Sequence, residues 1–354
     1  MENSRSISDE IKFHTKEVTE SPAALSYVPL VSVVVIAYNH EKYIEECILS
    51  IVHQETNFKV EIIVCDDASN DTTPEIIQSL CMVHPNIRFY KGKRINNISI
   101  LNGPSGRYNA FKAIDLAQGK YLSWMDGDDY WIDRFKLQKQ VDILETRTNW
   151  SACFTLGKLL FDDGTLKDVW TPTLSEFDAT ECLNVLMSKE LASSRMFRTQ
   201  LFKGPVPEWL LSSFSDKHMD LWSAINGPIG WIKDQTTHYR IHKGGIFQGA
   251  TSEFKSQLAF YRTEQLLKFG HNDTWLTQSD LLRMFLSLVK SFDSHAIRQK
   301  FPFPNSSTIS GFGAFGLLSM KNKIAVLTYS VIKKIQWALL PLDKGSISEN
   351  NDLN

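Results

Sequence analysis

The sequence predicts an α/β fold built on a mostly parallel sheet, and three features carry that reading. Short, continuous apolar runs rich in β-branched residues recur along the first 130 positions. Helical periodicity separates one run from the next. The runs also end in polar clusters and not in tight hairpin turns, which places crossover helices between parallel strands.

Val31 to Ala37 (VSVVVIA) is the first run, bounded by Pro29 and by Asn39-His40. Apolar side chains at successive positions suit a strand buried on both faces. From Glu41 the period changes: Ile44, Ile48, Ile51 and Val52 mark one helix face, with Asn39 or His40 near its cap. Val60 to Cys65 is the second strand, ending in Asp66-Asp67. Asp71-Thr72-Thr73-Pro74 opens the next helix, with proline suited to its first turn. Ile87 to Tyr90 is the third strand. A helix over Tyr108 to Ala117 stops at Gln118-Gly119. Lys120 to Met125 is the fourth strand, and it delivers the stretch WMDGDDYW.

Beyond position 150 the pattern loosens. Trp150 to Trp170 reads as a hairpin around Asp162-Asp163-Gly164. A helix at Ala179 to Met187, an extended stretch at Ser193 to Arg198, a helix at Asp220 to Ile225 and a strand at Thr236 to Arg240 follow. Residues 251–300 read as helical. Ile324 to Leu340 reads as a basic amphipathic helix with a tryptophan, a composition suited to lying on a membrane surface. The expected organisation is therefore a disordered tail over 1–28, one α/β domain over 29–250, a helical extension over 251–345 and a disordered tail over 346–354. For residues 309–342 two readings stand side by side: packing of this helix on its own domain, and peripheral membrane contact.

Composition narrows the function. A formal charge of −2 in 354 residues, with no basic stripe, disfavours nucleic acid as partner. Five scattered cysteines without a C-x-x-C pair fit free thiols in a reducing cytoplasm. The polar first 28 residues lack the apolar core of a secretory signal. No run of about 18 apolar residues marks a spanning helix. The expected location is cytoplasmic, either free or peripheral on the inner membrane face. No glycine-rich phosphate loop follows the first strand, so a phosphate bound here needs a metal or side-chain cations.

Ligands of parallel α/β sheets bind beyond the carboxyl ends of the strands. Three strands end in polar groups there: Tyr38-Asn39-His40, Asp66-Asp67, and Asp126-Gly127-Asp128-Asp129. Aspartates separated by one small residue present oxygens to a hard cation such as Mg²⁺ or Mn²⁺. The competing reading is an ordinary Asp-Gly turn, favoured by backbone geometry alone.

The stretches VSVVVIAYNHEKYIEECILSIVHQ, EIIVCDDASNDTTPEII and GKYLSWMDGDDYWIDRFKLQKQVDILE together resemble family 2 glycosyltransferases. That resemblance implies the GT-A nucleotide-sugar fold, a divalent metal, and inverting transfer of a sugar from a nucleotide diphosphate donor to a glycan or lipid-linked acceptor. It implies surface polysaccharide assembly as the setting. It assigns Ala37, Tyr38 and Asn39 to the base and ribose, Asp67 with neighbouring Asp66 to the base, and Asp126 and Asp128 to the D-x-D metal motif. Asp129 completes a D-D pair, so the second metal carboxylate is Asp126 or Asp129. The chain departs from the family where Ile36-Ala37 replaces the usual Pro-Thr.

An inverting displacement needs a base at the acceptor hydroxyl. In SDKHMDLWSAI, alignment on Leu221-Trp222 sets His218 at the family's usual aspartate, with Asp216 and Asp220 two residues either side. Asp220 and His218 lead as candidates and Asp216 follows. The segment HYRIHKGG resembles the family's closing Tyr-Arg-x-His stretch, giving Arg240 a role at the diphosphate and His242 one at the metal or phosphate. Arg195 and Arg198 are further candidates for phosphate or acceptor. Trp124, Tyr130 and Trp131 could stack on sugar or base, or simply pack. The rival from another class is a non-catalytic sugar-nucleotide binding or scaffolding protein on the same fold.

Overall fold

The computed structural model describes residues 4–17, 22, 24–96, 98, 106–184, 193–245, 251, 258 and 261. The sheet begins with β2 (Val31–Ala37), β3 (Val60–Asp66), β4 (Ile87–Lys91) and β5 (Tyr121–Asp126), preceded in the chain by β1 (Ser4–Ser6). These four strands run parallel in the order β4-β3-β2-β5. Between them lie α2 (Ile44–Val52), α3 (Thr73–Val83) and α4 (Arg107–Leu116), with α1 (Ile7–His14) upstream.

The apolar runs fold this way because both strand faces are covered. Val31, Val33, Val35 and Ala37 pack with Ile44, Cys47, Ile48 and Ile51 of α2 in one core cluster. Each such side chain contributes about 1.5–3 kcal/mol when removed from water. Pro74 stands in the first turn of α3, where its missing N–H costs nothing.

The second half of the sheet turns antiparallel. It holds β6 (Tyr130–Trp131), β7 (Ala152–Phe161), β8 (Leu166–Asp168), β9 (Glu176–Phe177), β10 (Arg195–Arg198) and β12 (Ile229–Ile241). Strand β10 sits antiparallel between β5 and β7, while β7 and β12 run parallel. The antiparallel pairing of β7 with β8 is the expected hairpin. Helices α5 (Lys136–Thr146), α6 (Ala179–Asn184), α7 (Glu208–Ser213) and α8 (Asp216–Asn226), and the short strand β11 (Pro205–Pro207), complete the described elements.

The amino terminus departs from the expected tail. Strand β1 pairs with β11, and α1 buries Ile7 and Ile11. Ser6 caps α1 by accepting from the Asp9 N–H at 3.1 Å. Ile7 and Ile11 are four positions apart, so both face one side of the helix, and this short stripe suffices where a partner surface is waiting. All five cysteines are free, and all but Cys81 are buried. Among the described residues no helix is long and apolar enough to cross a membrane. Apart from residues 251, 258 and 261, the expected helices at 251–300 and 324–340 lie outside the described residues, as does the expected membrane-contacting stretch.

Candidate functional site

Strand register brings the three polar ends together. Ala37 is paired with Asp66, and Ile36 with Asp126, so β2, β3 and β5 finish at one edge. This convergence makes a crevice with two ends.

At one end lie Tyr38, Asn39, Asp66 and Asp67. Asn39 takes a left-handed backbone (φ 55°), and its N–H donates to Ser69 Oγ at 2.8 Å. Asp66 is fully buried and accepts from the Ser69 N–H at 3.0 Å and from the Ser69 hydroxyl. It is a loop-shaping residue. Asp67 accepts from Asn109 Nδ2 at 2.6 Å and pairs with Arg94 at 3.0 Å. Burial pushes the Asp67 carboxyl up to about 6, opposed chiefly by Arg94. Arg94 also stacks on the Tyr38 ring, 4.1 Å from its centroid. No sequence pattern pointed to Arg94 or Asn109, which reach Asp67 from other elements.

At the other end stands the carboxylate cluster. Asp126 ends β5 and is half-buried. Burial raises its carboxyl to about 7, with further repulsion from Asp128 and then Asp216. Asp128 Oδ2 lies 3.1 Å from His242 Nε2 and 3.7 Å from His40 Nε2. Burial works to raise the Asp128 carboxyl, but the His242 hydrogen bond and the nearby His40 hold it low. Asp129 turns the other way. It is fully buried, accepting from the Ser193 hydroxyl and, at 2.9 Å, from the Arg240 N–H. Its second-carboxylate role is therefore the weaker one on geometry: both oxygens already tie β12 and Ser193 to the turn.

Gly127 is set by packing and not by backbone preference. Its φ is not positive, so the backbone there does not require glycine. A Cβ at this position would lie 2.7 Å from His40 Nδ1 and 3.1 Å from the Ile36 carbonyl oxygen. Glycine is needed because the imidazole is packed against it.

Arg240 is committed to the protein. Its guanidinium donates to the Asp128 carbonyl at 2.6 Å and to Glu46, and it lies over the rings of Tyr130 (4.4 Å) and Tyr43 (5.1 Å). It braces the turn, and these contacts engage the guanidinium that the sequence assigned to the diphosphate. Trp131 is buried and donates to the Ser193 carbonyl, and Tyr130 bonds His238 at 2.7 Å, so both pack. Trp124 stays half-exposed, with its indole N–H 3.4 Å from Asp126 Oδ1.

Beyond Asp126 stands the start of α8. Ser215 caps this helix by accepting from the His218 N–H at 3.4 Å, its hydroxyl also bonds His218 Nδ1 at 2.8 Å, and His218 is buried. Asp220 is buried too, held by Arg195 Nε at 2.9 and 3.0 Å. Burial raises Asp220 to about 6 against the opposing guanidinium. Asp216 receives the other arm of Arg195 at 3.1 Å while 36% of its side chain stays exposed. Of the three candidates, Asp216 combines solvent access with proximity to Asp126. Arg198 instead donates to the carbonyls of Trp150 and Leu144 and is structural.

Among the described residues no three His, Cys, Asp or Glu side chains stand preassembled around a cation position. The donors Asp126, Asp128 and His242 nonetheless suit Mn²⁺ or Mg²⁺, which complete their shells with water and phosphate oxygens. A cation here would offset the burial that raises Asp126 and relieve the repulsion that Asp128 adds to it.

A parallel sheet opening onto a crevice of acidic strand ends, extended by an antiparallel half, is the architecture of GT-A nucleotide-sugar enzymes. Staphylococcus aureus TarS 1–349, solved with UDP-GlcNAc, shares the fold with a TM-score of 0.57 at 18% identity, over 87% of this chain and 92% of that one. Residues 32–203 match the family model described as glycosyl transferase family 2. Among relatives, the uncharacterized protein Rv1520 of Mycobacterium tuberculosis is 32% identical over 227 residues, 63% of this chain and 62% of its own length. The chain thus spans about three fifths of that relative's length. The Escherichia coli UDP-Glc:alpha-D-GlcNAc-diphosphoundecaprenol beta-1,3-glucosyltransferase WfaP is 34% identical over 119 residues, 33% of this chain and 42% of its own.

Proposed function

We propose that the protein transfers a sugar, with inversion, from a nucleoside diphosphate donor of the UDP-sugar class to a hydroxyl of a glycan or lipid-linked acceptor. The observation that carries this reading is the convergence of the β2, β3 and β5 ends on one edge that presents Asp67, Asp126 and Asp128, with the solvent-accessible Asp216 near enough to Asp126 to add to the raising of its carboxyl. The UDP-glucose and diphosphoundecaprenol in the WfaP name support the donor and acceptor classes.

In this proposal Tyr38, Asn39 and Asp67 receive the base and ribose, with Ala37 beneath them at the strand end. Asp126 and Asp128, with His242 beside Asp128, hold Mn²⁺ or Mg²⁺. When bound, the cation neutralises charge on the departing diphosphate. The Asp216 carboxylate takes the acceptor proton as the hydroxyl oxygen bonds to the anomeric carbon. The anomeric carbon–oxygen bond breaks on the opposite side, and its electron pair leaves with the nucleoside diphosphate. Arg195 fixes the Asp216 carboxylate from below, and Asp220 serves as the counter-ion of Arg195 and not as the base. Asp66, Asp129 and Arg240 shape the loops that carry these groups.

Transfer or hydrolysis of UDP-sugars with Mn²⁺ tests the proposal. Asp128→Asn should abolish turnover. Asp216→Asn should lower kcat by about 10²–10⁴-fold while donor binding persists, the usual scale for losing a general base. Asp220→Asn should instead destabilise the fold by about 1–3 kcal/mol, because it weakens the hydrogen bonds to the buried Arg195 and leaves Asp216 as its counter-charge. Donor binding without turnover in the wild-type protein would favour the scaffolding alternative, which the histidine at position 218 suggested.

A further inference from the structure

The amino-terminal segment makes contacts at the nucleotide end that packing alone does not require. Asn96 ends a 3-10 turn, Arg94–Asn96, and is fully buried. Its side-chain oxygen accepts from the N–H groups of Lys16 (2.8 Å) and Glu17 (2.9 Å), and its amide donates to the Glu17 carbonyl at 2.7 Å. Lys93, one residue before the turn, pairs with Glu17 at 2.8 Å. The same turn presents Arg94 to Tyr38 and Asp67. A three-residue turn fixes few dihedrals with few bonds of its own, so its position is set by what it is tied to.

The tie is itself anchored on the rest of the crevice. Thr15 Oγ1 bonds the Tyr108 hydroxyl at 2.7 Å, and Ser8 Oγ donates to Asp115 at 2.5 Å, both on α4. That helix also supplies Asn109 to Asp67 and, through Arg107, a bond to the Leu211 carbonyl at 3.0 Å, ahead of α8. Arg5 pairs with Glu208 at the start of α7 at 3.1 Å. Residues 4–17 therefore touch the elements that carry Arg94, Asn109 and, one helix removed, Asp216.

We infer that residues 4–17 form a positioning arm for nucleotide recognition, holding Arg94 against Tyr38 and Asp67 by saturating Asn96. Arg94 and Asn96 are absent from the roles assigned above, and the inference rests on the reading of Tyr38 and Asp67 as the base site. With the arm in place, Arg94 favours the ionised Asp67 that accepts a hydrogen bond from a nucleobase. With the arm released, the turn samples other positions, and apparent affinity falls by the fraction of molecules with Arg94 in place. Arm order and nucleotide binding are then linked, and each must favour the other.

The test uses the full chain, with UDP, GDP and dTDP as probes in the presence of Mn²⁺, read by titration calorimetry. Asn96→Leu should weaken the Kd of whichever nucleotide binds the wild type by about tenfold, for a turn in place a tenth of the time. Asn96→Asp keeps the acceptor for both N–H groups and should recover part of that loss. A folded Asn96→Leu protein whose melting temperature falls while its Kd stays within twofold overturns the inference. Hydrogen exchange on the wild type guards against an unfolded variant. The nucleotide should slow exchange at the Lys16 and Glu17 amides, and unchanged exchange there at saturation overturns the inference as well. If none of the three nucleotides binds the wild type, it is the base-site reading that fails.

Discussion

Replacing Gly127 by alanine tests whether the D-G-D stretch is a functional turn shaped around His40 or an ordinary one shaped by backbone preference. The added Cβ would stand 2.7 Å from His40 Nδ1, 3.1 Å from the Ile36 oxygen and 3.1 Å from Ile44 Cδ1. The last two belong to the sheet backbone and to a fully buried core residue, and neither has room to withdraw. The imidazole must therefore move or the turn must lift. Overpacking of this kind costs about 1–3 kcal/mol. For a domain of this size that corresponds to a fall of about 2–10 °C in melting temperature. Moving the turn also displaces Asp126 and Asp128, and a shift of about 1 Å in a reacting group can cost about 100-fold in rate. Calorimetry and donor turnover on Gly127→Ala measure both. His40→Ala in the same chain removes the atom in closest conflict and should return at least half of the lost stability. A Gly127→Ala protein with unchanged melting temperature and turnover would refute the packing argument. So would a double variant no more stable than the single one, since the strain would then lie in the backbone.

Nucleotide affinity should fall about tenfold per pH unit below about 6, where the raised Asp67 carboxyl becomes protonated, and Asp67→Asn should flatten that profile. Calorimetric Kd values between pH 5 and 8 check this. Lys136 is fully buried, 4.1 Å from the Trp131 ring centroid and bonded to Gln140 at 2.6 Å, and burial lowers its ammonium to about 7. Between pH 7 and about 10.4 the unfolded chain holds one more proton at this site, so stability rises with pH across that window, by up to about 1.4 kcal/mol per unit. Lys136→Met should remove the slope and stabilise the protein at pH 7 by about 2–3 kcal/mol, after the lost Gln140 bond is set against the relieved burial; equal melting temperatures at pH 7 and pH 9 in the wild type would contradict this.

The parallel half of the fold was legible because its signal is local. Val31 to Ala37 must bury both faces whatever surrounds it, and Ile44, Cys47, Ile48 and Ile51 mark the covering helix within one window. Which group of the Ser215–Ile225 segment suits the proposed base was not legible, for the opposite reason. Arg195 sits on a four-residue strand, and only the pairing of Met196 with Ser123 places it beside Asp216 and Asp220. From sequence it is one arginine among several. The amino terminus did carry a signal: Ser6 and Asp9 have the spacing of a helix cap, and Ile7 and Ile11 that of a buried stripe. Eight residues of helix are too few to stand alone, so the signal acquires meaning only from the surface of α4 and the edge of β11.

The carboxylate cluster shows where local reasoning stops and geometry takes over. Spacing leaves three aspartates in four positions, and each has the chemistry of a metal ligand. Strand β5 ends at Asp126, whose carbonyl accepts from the Asp129 N–H at 3.0 Å, closing a tight turn. A chain reversing so quickly cannot present residues 128 and 129 to the same side. One must enter the protein, and the choice falls on Asp129 because Ser193 and the Arg240 N–H are there to receive it. Asp128 is left facing His40 and His242, across the turn from Asp126. Asp129→Asn should therefore preserve metal affinity better than Asp126→Asn, while weakening the attachment of β12 to the turn. Titration of both variants with Mn²⁺, alongside their melting temperatures, separates the two roles: a metal affinity lost more in Asp129→Asn than in Asp126→Asn would reverse the assignment.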